Sequence, residues 1–265
     1  MTAHQWLAGA AAILMAAGAA PAAAQTGTAP DAGGGGVRFM PRYAFHMNAE
    51  HLSGDDPRLV WEAHYGGDLD VVDYGVGRFT FAADYHVVLG EEIRIFDPNQ
   101  GNYLLEGALS VRLRGAEFAG VFHHTSRHLS DRPKTAAVDW NMMGVRLLSS
   151  REAGRLMVDT RAEVLGVVQR STVDYSWALN ADAGVRYAAT PRVGVVGRTA
   201  VRVLGVDGRF DRGTQAGFRV EGGVDVQGDA GALELFAAVE RRVDPIPLEA
   251  DTATWFALGF RLLSR

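Results

Sequence analysis

Beyond residue 37 the apolar residues recur every second position rather than every third or fourth, and this period excludes a helical fold for most of the chain. In 102–114, Tyr103, Leu105, Leu109, Val111 and Leu113 share one face, opposite Glu106, Ser110, Arg112 and Arg114. In 78–89, Phe79, Phe81, Tyr85, Val87 and Leu89 oppose Arg78, Thr80, Asp84 and His86. The same pattern sets Phe218, Val220, Val224 and Val226 against Arg219, Glu221, Asp225 and Gln227. In 192–204 it sets Val193, Val195, Val201 and Val203 against Arg198 and Arg202.

Twelve segments of this kind follow one another: 40–52, 58–72, 78–89, 102–114, 116–127, 137–148, 155–169, 176–189, 192–204, 214–227, 231–241 and 252–264. Each is long enough to cross a bilayer as a tilted strand, which needs about 9–11 residues. Short connections such as 73–77 and 190–191 alternate with longer, more polar ones such as 90–101, 128–136 and 205–213. An even strand number with alternating short turns and longer loops is the pattern of outer-membrane barrels. A soluble sandwich would bury its apolar faces and leave its charges in water. The sequence therefore predicts an all-β fold, a twelve-stranded antiparallel transmembrane β-barrel of outer-membrane type with periplasmic termini. The prolines are few within these strands, as a sheet without free edges requires.

The N-terminus reads as a targeting segment. Residues 5–20, QWLAGAAAILMAAGAA, have the character of a signal-peptide apolar core, and Ala22-Ala23-Ala24 fits a small-x-small cleavage site before Gln25. The expected organisation is a signal peptide over 1–24, a flexible leader over 25–39 and a single barrel domain over 40–265, placed in the bacterial outer membrane.

Composition narrows the function. The chain of 265 residues has no cysteine, which excludes disulfides, thiolate metal sites and cysteine nucleophiles. Its formal net charge is −5, with acids and bases mixed, so no basic surface for nucleic acid is implied. If the apolar face meets lipid, the interior collects charges of both signs, among them His46, Glu50, Glu62, His64, Asp84, His86, Glu106, His123, Arg146, Glu163, Arg219 and Glu240. Opposite charges across a modest bore pair and fill it. None of these histidines falls at a recognised metal-ligand spacing.

One constellation can carry chemistry: Phe122-His123-His124-Thr125-Ser126-Arg127-His128-Leu129-Ser130-Asp131, followed by Asp139-Trp140-Asn141. His124 and Ser126 are two apart on a strand and share a face. A serine becomes a nucleophile when a base takes its proton, and a third group fixes the tautomer of that base. Asn141 lies on the next strand, where a hairpin over 128–136 sets it opposite His124. Both residues continue otherwise apolar faces, so both are expected to point outward, towards lipid. The His-x-Ser triple also occurs at His51-Leu52-Ser53 and His128-Leu129-Ser130. A polar strand end at the water interface is the alternative account of this segment.

The run His124–Asp131 with Trp140-Asn141 resembles the active-site hairpin of outer-membrane phospholipase A, a family of twelve-stranded barrels. That resemblance implies His124 as base, Ser126 as nucleophile and Asn141 as the orienting group. It also implies calcium near the oxyanion site, with Ser130 and Asp131 as contributors, and a homodimer that completes a lipid-facing site. The lipid A 3-O-deacylase barrels are similar in their His-x-Ser pair with a downstream carboxylate, and that likeness implies Asp139 as the third member. Residues 57–150 are also similar to a family of bacterial outer-membrane proteins of unassigned activity, which carry a related His-x-Ser-x-His-Leu-x-Asp run. Two function classes follow. One is a serine acyl hydrolase acting on outer-membrane lipids. The other is a non-catalytic barrel with a structural or narrow-pore role.

Overall fold

The computed structural model describes residues 36–133 and 136–264. The expected signal peptide and most of the expected leader lie outside them. Twelve strands follow in order: β1 (Arg38–Leu52), β2 (Trp61–Asp73), β3 (Arg78–Gly90), β4 (Asp97–Leu113), β5 (Ala116–Leu129), β6 (Val138–Ala153), β7 (Leu156–Ser171), β8 (Tyr175–Ala188), β9 (Val193–Val206), β10 (Gln215–Gln227), β11 (Gly231–Val243) and β12 (Thr252–Ser264). Each pairs antiparallel with its chain neighbours, and β1 pairs with β12 to close the barrel. Closure satisfies every strand edge, which a hydrocarbon environment demands. The first strand begins at Arg38, two residues before the expected start of the barrel at 40. Arg38 and Phe39 pair with Asp73 and Val72, and the Arg38 guanidinium holds the Asp73 carboxylate at 2.9 Å.

Both termini of the barrel lie at one rim, together with the short turns. Arg114-Gly115 joins β4 to β5 with both residues at positive φ, 48° and 79°. Two such residues make the type I′ turn that matches the twist of a hairpin. The opposite rim carries the longer loops, among them 53–60, 91–96, 207–214 and 244–251, and the connection that leaves β5 at 130–133. Short turns belong to the periplasmic side and long loops to the outside.

The outer wall is apolar. Leu109, Val145, Leu235 and Leu258 are each more than half exposed, an arrangement that only lipid makes favourable. Tyr103 and Trp177 face outward near the loop rim, and Tyr43 and Tyr187 near the turn rim. They sit where aromatic side chains anchor a barrel at its two interfaces. This is a transmembrane barrel of the outer-membrane type.

The inner wall is a ladder of ion pairs. Arg219 reaches Glu50, Glu221 and Glu240. Arg261 and Arg198 each bridge Glu221 and Glu234. Arg146 links Glu106 to Glu163. Two apolar clusters sit inside, one around Trp140, Met142, Leu165 and Tyr175, the other around Leu52, Leu59, Ile246 and Trp255. The second is made in part by the β11–β12 loop, which folds into the mouth. Gln100 Nε2 donates to the Pro245 carbonyl at 3.0 Å, and Arg127 Nη2 donates to it at 2.6 Å. The charge pairing expected from the alternating pattern is thus present, and a loop covers it from outside.

Candidate active site on the outward face

The parity of β5 sends Val121 and His123 inward, where both are buried, and Phe118 and Phe122 outward, where both are exposed. His124 and Ser126 continue the outward set towards the loop rim. On β6 the same logic buries Trp140 and Met142 and exposes Met143 and Val145, so Asn141 faces outward too. The β5–β6 register pairs His124 with Asn141 and Ser126 with Asp139. The side chains of the first pair meet: His124 Nδ1 and Asn141 Oδ1 are 2.7 Å apart. An amide oxygen only accepts, so Nδ1 carries the proton and Nε2 of His124 is left as the basic nitrogen.

Ser126 departs from the expected contact. Its Oγ is hydrogen-bonded to Nε2 of His128, at 2.7 Å, rather than to His124. The reason is geometric. Residues two apart on one face are near neighbours in both directions, so a serine between two histidines has two partners within reach of a χ1 rotation. The His128 ring is held edge-on against Tyr103, with centroids 5.6 Å apart.

A further residue joins the site that the sequence pattern misses. Asn141 Nδ2 donates to Gln169 Oε1 at 2.7 Å, and Gln169 Nε2 donates to Asp139 Oδ1 at 3.1 Å. The β6–β7 register shifts between Asn141 and Met142, pairing Asn141 with Gln169 and Met142 with Val167. This bulge puts Val168 and Gln169 both on the exposed side. Strict alternation would have sent Gln169 into the lumen. Its one sequence signal is the polar end Gln169-Arg170-Ser171 that follows Val167-Val168. Asp139 also accepts from Ser171 Oγ at 3.3 Å. No hydrogen bond among the described residues joins it to His124, so Asn141, and not Asp139, is the group that meets this ring.

Ser130 and Asp131 lie just beyond β5 at the rim. The Asp131 carboxylate is paired with Arg94 at 3.0 Å, and Arg132 donates to the Ser130 carbonyl at 3.1 Å. Calcium takes about 6–8 oxygen ligands, usually with several carboxylates. One hydroxyl and one arginine-bound carboxylate fall short of that set, so these two residues do not by themselves fit calcium.

No family model matches the sequence, and no curated protein does. Solved structures match the fold. The outer membrane phospholipase of Salmonella typhi, a dimer with bound calcium, superposes with a TM-score of 0.52 at 11% identity, covering 84% of this chain and 90% of the other. The outer membrane phospholipase A of Escherichia coli gives 0.52 at 12% identity, over 84% of this chain and 96% of the other. An active-site asparagine-to-alanine mutant of the latter gives 0.52 at 12% identity, over 86% and 91%. At such identities the likeness shows the shared barrel.

Proposed function

We propose that the protein is a serine acyl hydrolase of the outer membrane, cleaving esters of phospholipid or lipid A from the lipid side of the barrel. The observation that carries this reading is the 2.7 Å contact between His124 Nδ1 and Asn141 Oδ1 on the outward face, with Ser126 beside it. Polar side chains that face lipid are costly and call for a function. In this reading Asn141 holds the tautomer of His124, and Gln169 holds the amide of Asn141. Ser126 Oγ turns from His128 to His124 and gives its proton to Nε2 as it attacks the ester carbonyl. The alcohol leaves with that proton, and water then releases the acyl chain by the same base. An ester in the outer leaflet reaches Ser126 without leaving the membrane.

A second assignment of the base has an observation of its own. His128 is the histidine that touches Ser126 Oγ, at 2.7 Å. Paired substitutions separate the two. Purified protein in mixed micelles is assayed for fatty acid release from phospholipid and from lipid A. Ser126→Ala is expected to lower the rate by on the order of 10³-fold or more, because members of a catalytic unit fail together. His124→Ala should match it, while His128→Ala retains most of the rate; the reverse order assigns the base to His128. Asn141→Ala removes one hydrogen bond to a developing imidazolium, worth about 1.5–3 kcal/mol, or about 10- to 150-fold. Wild-type protein without esterase activity on either lipid refutes the reading and leaves a structural or narrow-pore barrel. The proposal extends to a homodimer, tested by cross-linking in the membrane, and to a calcium requirement, tested by chelation. No step above depends on either.

A further inference from the structure

Inside the barrel, far from the outward hairpin in chemistry and facing the opposite way, three side chains from two adjacent strands converge. Glu62 and His64 lie on β2 and His86 on β3, with His64 directly opposite His86 in the register. Each offers one ligand atom, and these atoms lie within 4.8 Å of one another. Glu62 and His64 are buried. We propose that Glu62, His64 and His86 form a binding site for a borderline divalent cation, zinc above all, in the lumen of the barrel.

The hydrogen bonding around the two rings prepares them as ligands. His64 Nδ1 lies 2.8 Å from Asp84 Oδ1, which leaves Nε2 as its free nitrogen. A carboxylate behind a ligating imidazole is the usual support of such a site. His86 Nε2 is buried without a hydrogen bond, 3.4 Å from Glu62 Oε1. Asn102 Oδ1 is also buried without a partner, while its Nδ2 sits 3.2 Å from His86 Nδ1. The oxygen and nitrogen of an amide have the same shape, and hydrogen bonding decides between them. Turning the Asn102 amide lets its oxygen accept from Nδ1–H of His86. The contact given up, to Gln100 Oε1 at 3.4 Å, is long. That one change gives the Asn102 oxygen a donor and makes His86 Nε2 a lone pair. A cation then resolves the second orphan.

Two imidazoles and a carboxylate suit zinc and leave a fourth position for water. The rings of His64 and His86 are stacked, 4.3 Å apart and 5° from parallel, so one ring must turn to aim both lone pairs at one ion. The cavity of about 180 Å³ that both rings border gives room for that turn. Arg242 binds Glu62 through both of its oxygens, so a cation at this site shares that carboxylate with a guanidinium. In the other lumen cluster, Glu106, His123 and Glu163, Arg146 binds both carboxylates and also stands 3.3 Å from His123 Nε2.

The test uses the mature chain folded in detergent, without an affinity tag and stripped by chelator. Calorimetry with Zn²⁺ should show one saturable site, and Co²⁺ should give the absorption of a tetrahedral nitrogen–oxygen site. His64→Gln and His86→Gln should each weaken Zn²⁺ binding by at least about 100-fold, as expected for lost ligands. His51→Gln, at the rim, should leave binding unchanged. Because the lumen variants could fail to fold, X-ray absorption of the zinc-loaded wild type gives a second reading, two imidazole nitrogens at about 2.0–2.1 Å. No saturable Zn²⁺ binding by the wild type, binding equal in folded His64→Gln and His86→Gln, or a shell of oxygen alone overturns the proposal. The result is independent of lipid hydrolysis.

Discussion

Replacing Arg219 by methionine should remove more stability than any exposed substitution. Arg219 Nη1 and Nη2 reach the two oxygens of Glu50 at 3.1 and 2.7 Å. They also reach Glu240 at 2.7 Å and Glu221 at 3.2 Å. Glu240 keeps Arg242 at 2.6 Å, and Glu221 keeps Arg198 and Arg261 at 2.8 and 2.9 Å. Glu50 keeps nothing: among the described residues Arg219 is its one cationic partner, and it is only 2% exposed. Breaking a buried pair from one side costs about 3–5 kcal/mol, because the remaining charge is stranded. At 1.36 kcal/mol per decade this is roughly a 150- to 5,000-fold change in the unfolding constant. Arg219→Met together with Glu50→Gln strands no charge and should return to within about 1–2 kcal/mol of wild type, as apolar or neutral replacements of buried pairs commonly do. The assay is reversible urea unfolding in lipid vesicles, followed by tryptophan fluorescence and by heat-modifiable gel mobility. A single variant that costs less than about 1 kcal/mol, or a double variant as unstable as the single one, would refute the argument that the lumen is an ion-pair core.

Other outcomes follow from the same geometry. The protein in planar bilayers should show no steady conductance, because ion pairs line the lumen and the 244–251 loop covers its mouth; stable channels in the wild type would contradict this. Gly144→Ala places a methyl carbon 1.9 Å from the Val164 carbonyl oxygen, so the β6–β7 pair must shift, at a cost of about 1–3 kcal/mol in the same unfolding assay. Asp131→Asn breaks only an exposed pair with Arg94, both side chains 58% exposed, and should change stability by less than about 1 kcal/mol. Gln169→Ala should reduce lipid hydrolysis less than Asn141→Ala does, since it acts on the base only through the Asn141 amide, and equal losses in the fatty acid assay would give Gln169 a more direct role.

The barrel was legible because its physics is local. A period of two, strands long enough to span a bilayer and charges confined to one face are properties of neighbouring residues. They assigned inward and outward sides correctly for His123, Arg146, Phe122 and Val145 before any pairing was known. The hairpin set His124 opposite Asn141 for the same reason, since adjacent antiparallel strands share one register. Contacts that depend on exceptions to alternation were not legible. The bulge near Asn141 turns Gln169 outward, and the rotamer of Ser126 chooses His128 over His124; neither leaves a mark in the spacing. The use to which neighbouring lumen side chains could be put was equally hidden. His64 and His86 stand 22 positions apart on the chain, at no metal-ligand spacing, yet the β2–β3 register stacks their rings. Apart from the bulge at Gln169, the sequence alone determined which residues meet lipid and which meet the lumen, because a strand's alternation settles that without its partners. Only the closed sheet decided which lumen charges meet each other, because partners such as Glu50 and Arg219 come from strands at opposite ends of the chain.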